Sequence, residues 1–294
     1  MRKLVSVPGL CAWVALIAGA HLPFAAAAEP PIVTPPEGAP AAIPRARQYD
    51  LTSKINGRTY RVFVSTPFGA RPDQRYPVLY VLDGNWYFAP ASVNATESSG
   101  AGELVPAIVV GVGYPTEDND LVGRRRSFEL TPWSPEGAPA DQYGGGDVFL
   151  RVLEEEIRPF INARYATDPA RQILYGKSFG GLLVLRSLLT NPGAYATYIA
   201  ASPAIGFDSG AILRDVPGFA ARVKAGPFKM RLLITAAGNE QYPRAILTKL
   251  AAVDPDRLHI EQAVIPDEGH VSVSLASVGR ALYFALGRGA NGAH

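Results

Sequence analysis

Short apolar runs alternate with helix-length segments along most of this chain. Residues 77–82, 107–113, 172–175, 198–201, 231–236 and 259–265 are apolar stretches of strand length, several almost without a polar break. Between and after them, residues 86–96, 148–162, 182–189, 212–223, 244–252 and 271–286 have the length and spacing of helices. In 148–162, Phe149, Leu153, Ile157 and Phe160 fall on one helical face. Strands that are apolar throughout must be covered on both sides, so the alternation predicts a largely parallel sheet between two helical layers. Two strand-like runs near the front, 48–53 and 59–65, are joined through Asn56-Gly57, a pair that hairpin turns favour, and predict an antiparallel hairpin. The segment after Gly113 is polar as far as Asp141 and reads as a long loop. With no internal repeat visible, the pattern predicts one α/β domain over 46–288 and a short tail at 289–294.

The first residues follow a different logic. Arg2 and Lys3 precede a short apolar run at 10–20, and Ala26-Ala27-Ala28 offers a small-residue cleavage site before Glu29. Residues 1–28 therefore read as a secretory signal, too short to span a bilayer comfortably. Residues 29–45 hold six prolines among Ala and Gly and read as a flexible leader. Cys11, the only cysteine, lies inside the signal, so the exported chain has no disulfide, no thiol nucleophile and no cysteine metal site. The signal carries two of the 28 basic residues and no acidic ones, which leaves the rest in balance with its 26 acidic residues. A neutral chain without a basic tract makes no case for nucleic acid, and no metal or other cofactor is expected. A periplasmic or secreted protein without stable membrane insertion is the expectation.

One motif concentrates the chemistry. Gly176-Lys177-Ser178-Phe179-Gly180 fits G-x-S-x-G, in which a strand turns sharply into a helix with serine at the apex. The context matches, because an apolar strand ends at Tyr175 and an apolar helix runs from Leu182. Gly176-Lys177-Ser178 also resembles the end of a phosphate-binding loop, but that loop needs glycine where Arg171 stands.

Ser178 needs a base. Beyond the signal the candidates are His259, His270 and His294. His294 is terminal and His259 lies within a strand, whereas His270 follows the last strand in Pro266-Asp267-Glu268-Gly269-His270. The order serine, acid, histidine is that of the α/β-hydrolase fold. The acid should leave the end of strand 231–236; Glu240 is the first choice, with Asp254, Asp256 and Asp267 as competitors. The oxyanion should be met by the backbone N–H of Phe179 and by that of Asn85, in Asp83-Gly84-Asn85-Trp86 after strand 77–82.

Taken in order, Tyr76 to Asn85, Gly111-Val112-Gly113-Tyr114-Pro115, the run Gly123-Arg124-Arg125-Arg126-Ser127-Phe128-Glu129-Leu130-Thr131-Pro132, the elbow, and Glu268-Gly269-His270 resemble the esterase-D-like α/β-hydrolases. Within these, the chain resembles the secreted trilactone siderophore esterases. The resemblance spans residues 46–288. It implies hydrolysis of enterobactin-type macrolactones in the periplasm, with Ser178 as nucleophile, His270 as base and a weakly placed acid. The small-molecule partner it implies is an ester substrate, a catecholate siderophore with or without its iron. A ferric tris-catecholate is a bulky trianion, for which Arg124, Arg125 and Arg126 offer charge and planar faces, with Trp86, Tyr87 and Trp133 as aromatic walls. Alternatively these arginines are solvated or pair with Glu117, Asp118 or Asp120. A broad carboxylesterase, thioesterase or feruloyl-type esterase would share every catalytic residue. A non-catalytic scaffold that only binds a siderophore would have no use for both Ser178 and His270.

Overall fold

The computed structural model describes residues 42–71, 73–240 and 243–288. The expected signal, most of the expected leader, the tail and His294 lie outside these residues. Eight strands form one sheet in the order β1-β2-β4-β3-β5-β6-β7-β8. They are β1 (Ala46–Thr52), β2 (Thr59–Ser65), β3 (Tyr76–Leu82), β4 (Ile108–Gly113), β5 (Thr167–Lys177), β6 (Thr197–Ala201), β7 (Met230–Ala237) and β8 (Leu258–Ile265). β1 pairs antiparallel with β2, and β2 antiparallel with β4; every later pairing is parallel. The expected mostly parallel sheet with an antiparallel hairpin at one edge is the architecture found.

The apolar strands are buried because both faces are covered. Every residue of β3 and β4 is buried. Alternate side chains serve opposite layers: Val78, Tyr80 and Leu82 join one apolar cluster, Leu79 and Val81 the other. The first cluster is closed by α3 (Gly146–Val152), α5 (Phe179–Thr190), α6 (Val216–Ala225) and α7 (Pro243–Leu250), through Phe149, Leu182, Phe219 and Ile246. The second is closed by α1 (Gly84–Gly100) and α8 (Val273–Leu286), through Phe88 and Leu282. Each fully buried Leu or Phe contributes about 1.5–3 kcal/mol by leaving water, so the two layers dominate stability.

Three local expectations are corrected. The polar segment before Asp141 contains a helix, α2 (Asn119–Glu129), which buries only Val122 and Glu129 and so lacks an apolar stripe. Its start is set by Asp118, whose carboxylate accepts from the N–H groups of Asp120 and Leu121 at 2.9 and 3.2 Å. The helix expected at 148–162 is divided by a π-helical turn, Leu153–Ile157, before α4 (Arg158–Arg164). The helix expected from 212 begins as a kinked 3₁₀ segment, Phe207–Asp215, in which Asp208, Ser209 and Gly210 have positive φ. The carboxyl ends of β3, β5, β7 and β8 point the same way, and their loops carry the site residues.

Candidate active site

β5 ends in the turn the glycine motif requires. Ser178 has φ 58° and ψ −115°, outside the ordinary regions for a side-chain-bearing residue. The strain is held by its neighbours: Ser178 N–H donates to Ala201 O at 2.9 Å, and Ser178 O accepts from Leu182 and Ala204 N–H at 2.9 and 3.1 Å. Glycine is needed at 176, where a Cβ would stand 2.4 Å from the backbone carbonyl of Gly180.

His270 arrives from the loop after β8, with Nε2 3.0 Å from Ser178 Oγ. Its Nδ1 lies 2.5 Å from Glu240 Oε1, and Glu240 Oε2 accepts the N–H of Ala237 at 3.0 Å. Burial raises the Glu240 pKa, but the hydrogen bonds from His270 and Ala237 outweigh it and hold the carboxyl below its ordinary value of 4.5. An ionised acceptor at Nδ1 keeps the proton there and leaves Nε2 free to accept from serine. Two of the competing acids lie elsewhere: Asp254 accepts the Asp256 N–H at 3.0 Å and sits 3.5 Å from Arg257, in the turn before β8. The third, Asp267, lies in the His270 loop at a positive φ of 62°, but it is Glu240 that holds Nδ1. His259 lies on β8 with Glu261 at 3.2 Å.

Phe179 opens α5 and Asn85 is the second residue of α1, so both N–H groups stand at helix starts. Among the described residues, neither N–H has a backbone acceptor. The last register pair of the neighbouring strands β3 and β5 is Val81↔Tyr175, so the two helices start from adjacent strand ends and then cover opposite faces of the sheet. The left-handed turn falls on Asp83, with φ 54° and ψ 46°, rather than on Gly84. Gly84 is needed for closeness, since a Cβ there would stand 2.7 Å from Val112 N. The Asn85 side chain is tied down by Tyr114, donating to its O at 3.0 Å and accepting its N–H at 2.8 Å.

Two clefts bear on the site, one at the triad and one along α2. One, of about 310 Å³, is lined by Ser178, His270, Glu240, Pro203 and Phe207. The other, of about 770 Å³, is lined by Trp86, Asn119, Arg124, Arg126 and Gln142, with Asp120 and Asp141. The three arginines have different surroundings. Arg124 is exposed in the larger cleft. Arg125 turns inward, 2.9 Å from Glu129 and 2.8 Å from Thr59 O, over the rings of Tyr60 and Tyr114. Arg126 grips Asp83 with both arms while bordering the cleft. Pairing with acidic residues thus occurs, but with Glu129 and Asp83 rather than Glu117, Asp118 or Asp120.

Trp86 faces the larger cleft and is 39% exposed. Tyr87 turns inward, its OH 3.4 Å from Ser274 Oγ. Trp133 packs behind Phe207, ring centroids 6.5 Å apart. The wall near the serine is instead Phe179, Phe207 and Tyr143, in mutual contact at 5.3–6.3 Å. Phe207 and Tyr143 escaped the sequence reading because they sit in segments without regular periodicity.

A mostly parallel hydrolase sheet with a serine elbow, and a histidine and carboxylate on successive strand ends, defines a serine hydrolase of the carboxylic ester class. The chain belongs to the Esterase family, whose model matches residues 53–226. It is 33% identical over 262 residues to the ferri-bacillibactin esterase of Bacillus subtilis, covering 83% of this chain and 90% of that one. It is 36% identical over 211 residues to the siderophore triacetylfusarinine C esterase of Aspergillus fumigatus, covering 69% and 71%. Among solved structures, the BES protein of Bacillus cereus superposes with a TM-score of 0.77 at 29% identity, covering 86% of this chain and 99% of that one. No described helix is long and apolar enough to cross a membrane.

Proposed function

We propose that this chain is an exported serine esterase that hydrolyses the ester bonds of catecholate trilactone siderophores of the enterobactin type, with Ser178, His270 and Glu240 as its triad. The observation that carries this reading is the relay from Ser178 through His270 to Glu240, at 3.0 and 2.5 Å, beside a roomy cleft that holds Arg124. Relatives named as esterases of ferri-bacillibactin, triacetylfusarinine C and enterobactin support the substrate class.

Ser178 Oγ attacks the lactone carbonyl carbon as its proton passes to His270 Nε2. Glu240 stabilises the imidazolium, and the N–H groups of Phe179 and Asn85 hold the oxyanion. Collapse breaks the ester C–O bond, the departing alkoxide takes the proton from His270, and an acyl-enzyme remains. His270 then deprotonates water, which attacks the acyl carbon; on collapse the proton returns to Ser178. Each opened lactone loosens the ring that holds three catechol arms around iron, so hydrolysis weakens chelation. The apolar run at 10–20 and the small residues at 26–28, read as an export signal, support a reaction in the periplasm or medium.

The test compares turnover of ferric and iron-free trilactones with that of short nitrophenyl esters. Trilactone kcat/KM should exceed that for the nitrophenyl esters. A clear preference for the short esters would make the chain a broad carboxylesterase.

A further inference from the structure

Asp83 has no part in the proton relay, yet its placement is costly. Its side chain is 0% exposed, and it occupies a left-handed turn that glycine would adopt without steric cost. Its carbonyl accepts the N–H groups of Trp86 and Tyr87 at 2.9 and 3.1 Å, which starts α1 and fixes Asn85 between. Arg126 compensates the buried charge with a two-armed grip, Nε to Oδ1 at 2.9 Å and Nη2 to Oδ2 at 3.0 Å. The same guanidinium lies 5.5 Å over the ring of Phe179 and 5.5 Å over that of Trp86. It therefore touches both segments that carry the two oxyanion donors.

The other cation facing Asp83 is Lys177, buried at the end of β5. Burial and repulsion from Arg126 lower its pKa, against the attraction of Glu240 and Asp83. Among the described residues Lys177 makes no hydrogen bond or ion pair with Asp83, so the pair depends on Arg126.

We infer that the Asp83–Arg126 pair is a positioning clamp for the oxyanion site, holding the Asp83–Gly84–Asn85 turn so that the Asn85 N–H converges with that of Phe179. This rests on the assignment of Asn85 as an oxyanion donor. The clamp acts on every ester, charged or neutral, and that separates Arg126 from a residue that recognises a siderophore.

The experiment uses a neutral nitrophenyl ester, with rates expressed per serine titrated by a fluorophosphonate so that misfolded protein is not counted. Arg126→Lys keeps the charge but loses the fork. Its kcat should fall at least about tenfold with KM changed less than about twofold, because the lost interaction forms only in the transition state. The inhibition constant of an aryl trifluoromethyl ketone, which forms the same tetrahedral oxyanion, should rise in step. Asp83→Asn, which tolerates the left-handed turn, should show the same split and serves if Arg126→Lys does not fold. Asn85→Ala and Asn85→Pro test the donor itself, since both lose the side chain and only the proline loses the N–H. Proline is compatible with a first helical turn. If Asn85→Pro is slower than Asn85→Ala while Arg126→Lys keeps full kcat, the clamp is wrong and the donor assignment stands. Equal rates for the two Asn85 variants would overturn the donor and the clamp together. A raised KM with unchanged kcat in Arg126→Lys would make Arg126 a substrate contact and also overturn the clamp.

Discussion

Arg124→Gln isolates the recognition of charge. Arg124 is exposed in the 770 Å³ cleft, whereas Arg125 and Arg126 are already held by Glu129 and Asp83. Asp120 and Asp141 line the same cleft, so removing the guanidinium leaves a wall that repels anions. A unit charge about 6 Å from a trianion in near-aqueous surroundings is worth about 2 kcal/mol before costs. Ordering a long side chain and salt screening roughly halve that, leaving about 1 kcal/mol. Glutamine keeps much of the reach while removing the charge. KM for a ferric tris-catecholate should therefore rise about fivefold, and the ratio of kcat/KM between that substrate and a nitrophenyl ester should fall by the same factor. At about 1 M salt, where screening acts within about 3 Å, the difference should shrink below about twofold. Steady-state assays of both substrates at low and high salt measure it. An equal loss on both substrates, or a loss that salt does not change, would refute the electrostatic role.

Two further outcomes concern the acid. Glu240→Gln should lower kcat less than His270→Ala, because the acid orients and stabilises a base that still works without it; comparable losses in steady-state assays would show a fully dependent triad. Because the folded-state pKa of Glu240 lies below 4.5, its ionised form stabilises the fold above the unfolded value, and that stability is lost as pH falls through the folded one. Denaturant titrations should show the stability gap between wild type and Glu240→Gln widest near neutrality and closing as pH falls below 4.5; a gap that widens in acid would contradict the sign.

The sheet was legible because buried parallel strands leave runs such as Val78 to Leu82 and Ile108 to Val112 that cannot face water. Ser178 and His270 were legible because strained turns and loop positions after strands leave local signals. What escaped depends on tertiary partners. α2 carries Arg124, Arg125, Arg126 and only one buried apolar residue, Val122, so no periodicity announced it. Two partners of its arginines come from elsewhere in the fold: Asp83 is 43 positions from Arg126, and Thr59 is 66 from Arg125. Glu129, four positions after Arg125 on the same helix, is a local partner that went unweighed, while among the described residues Glu117, Asp118 and Asp120 pair with none of the three arginines. Likewise, Trp133 looked like an exposed wall and packs behind Phe207, which lies in a kinked segment with no pattern to read.

The central claim, that Ser178 opens a siderophore lactone through a covalent acyl-enzyme, is tested most directly by ferric trilactone turnover in wild type and Ser178→Ala, followed by mass spectrometry of the products and of the protein. Wild type should release linear esters stepwise and, when quenched early, carry an acyl adduct on Ser178. Ser178→Ala should fold normally, bind the substrate, and turn it over at least about a thousandfold more slowly without an adduct. Trilactone hydrolysis that survives the substitution, or an adduct on a different serine, would contradict the account.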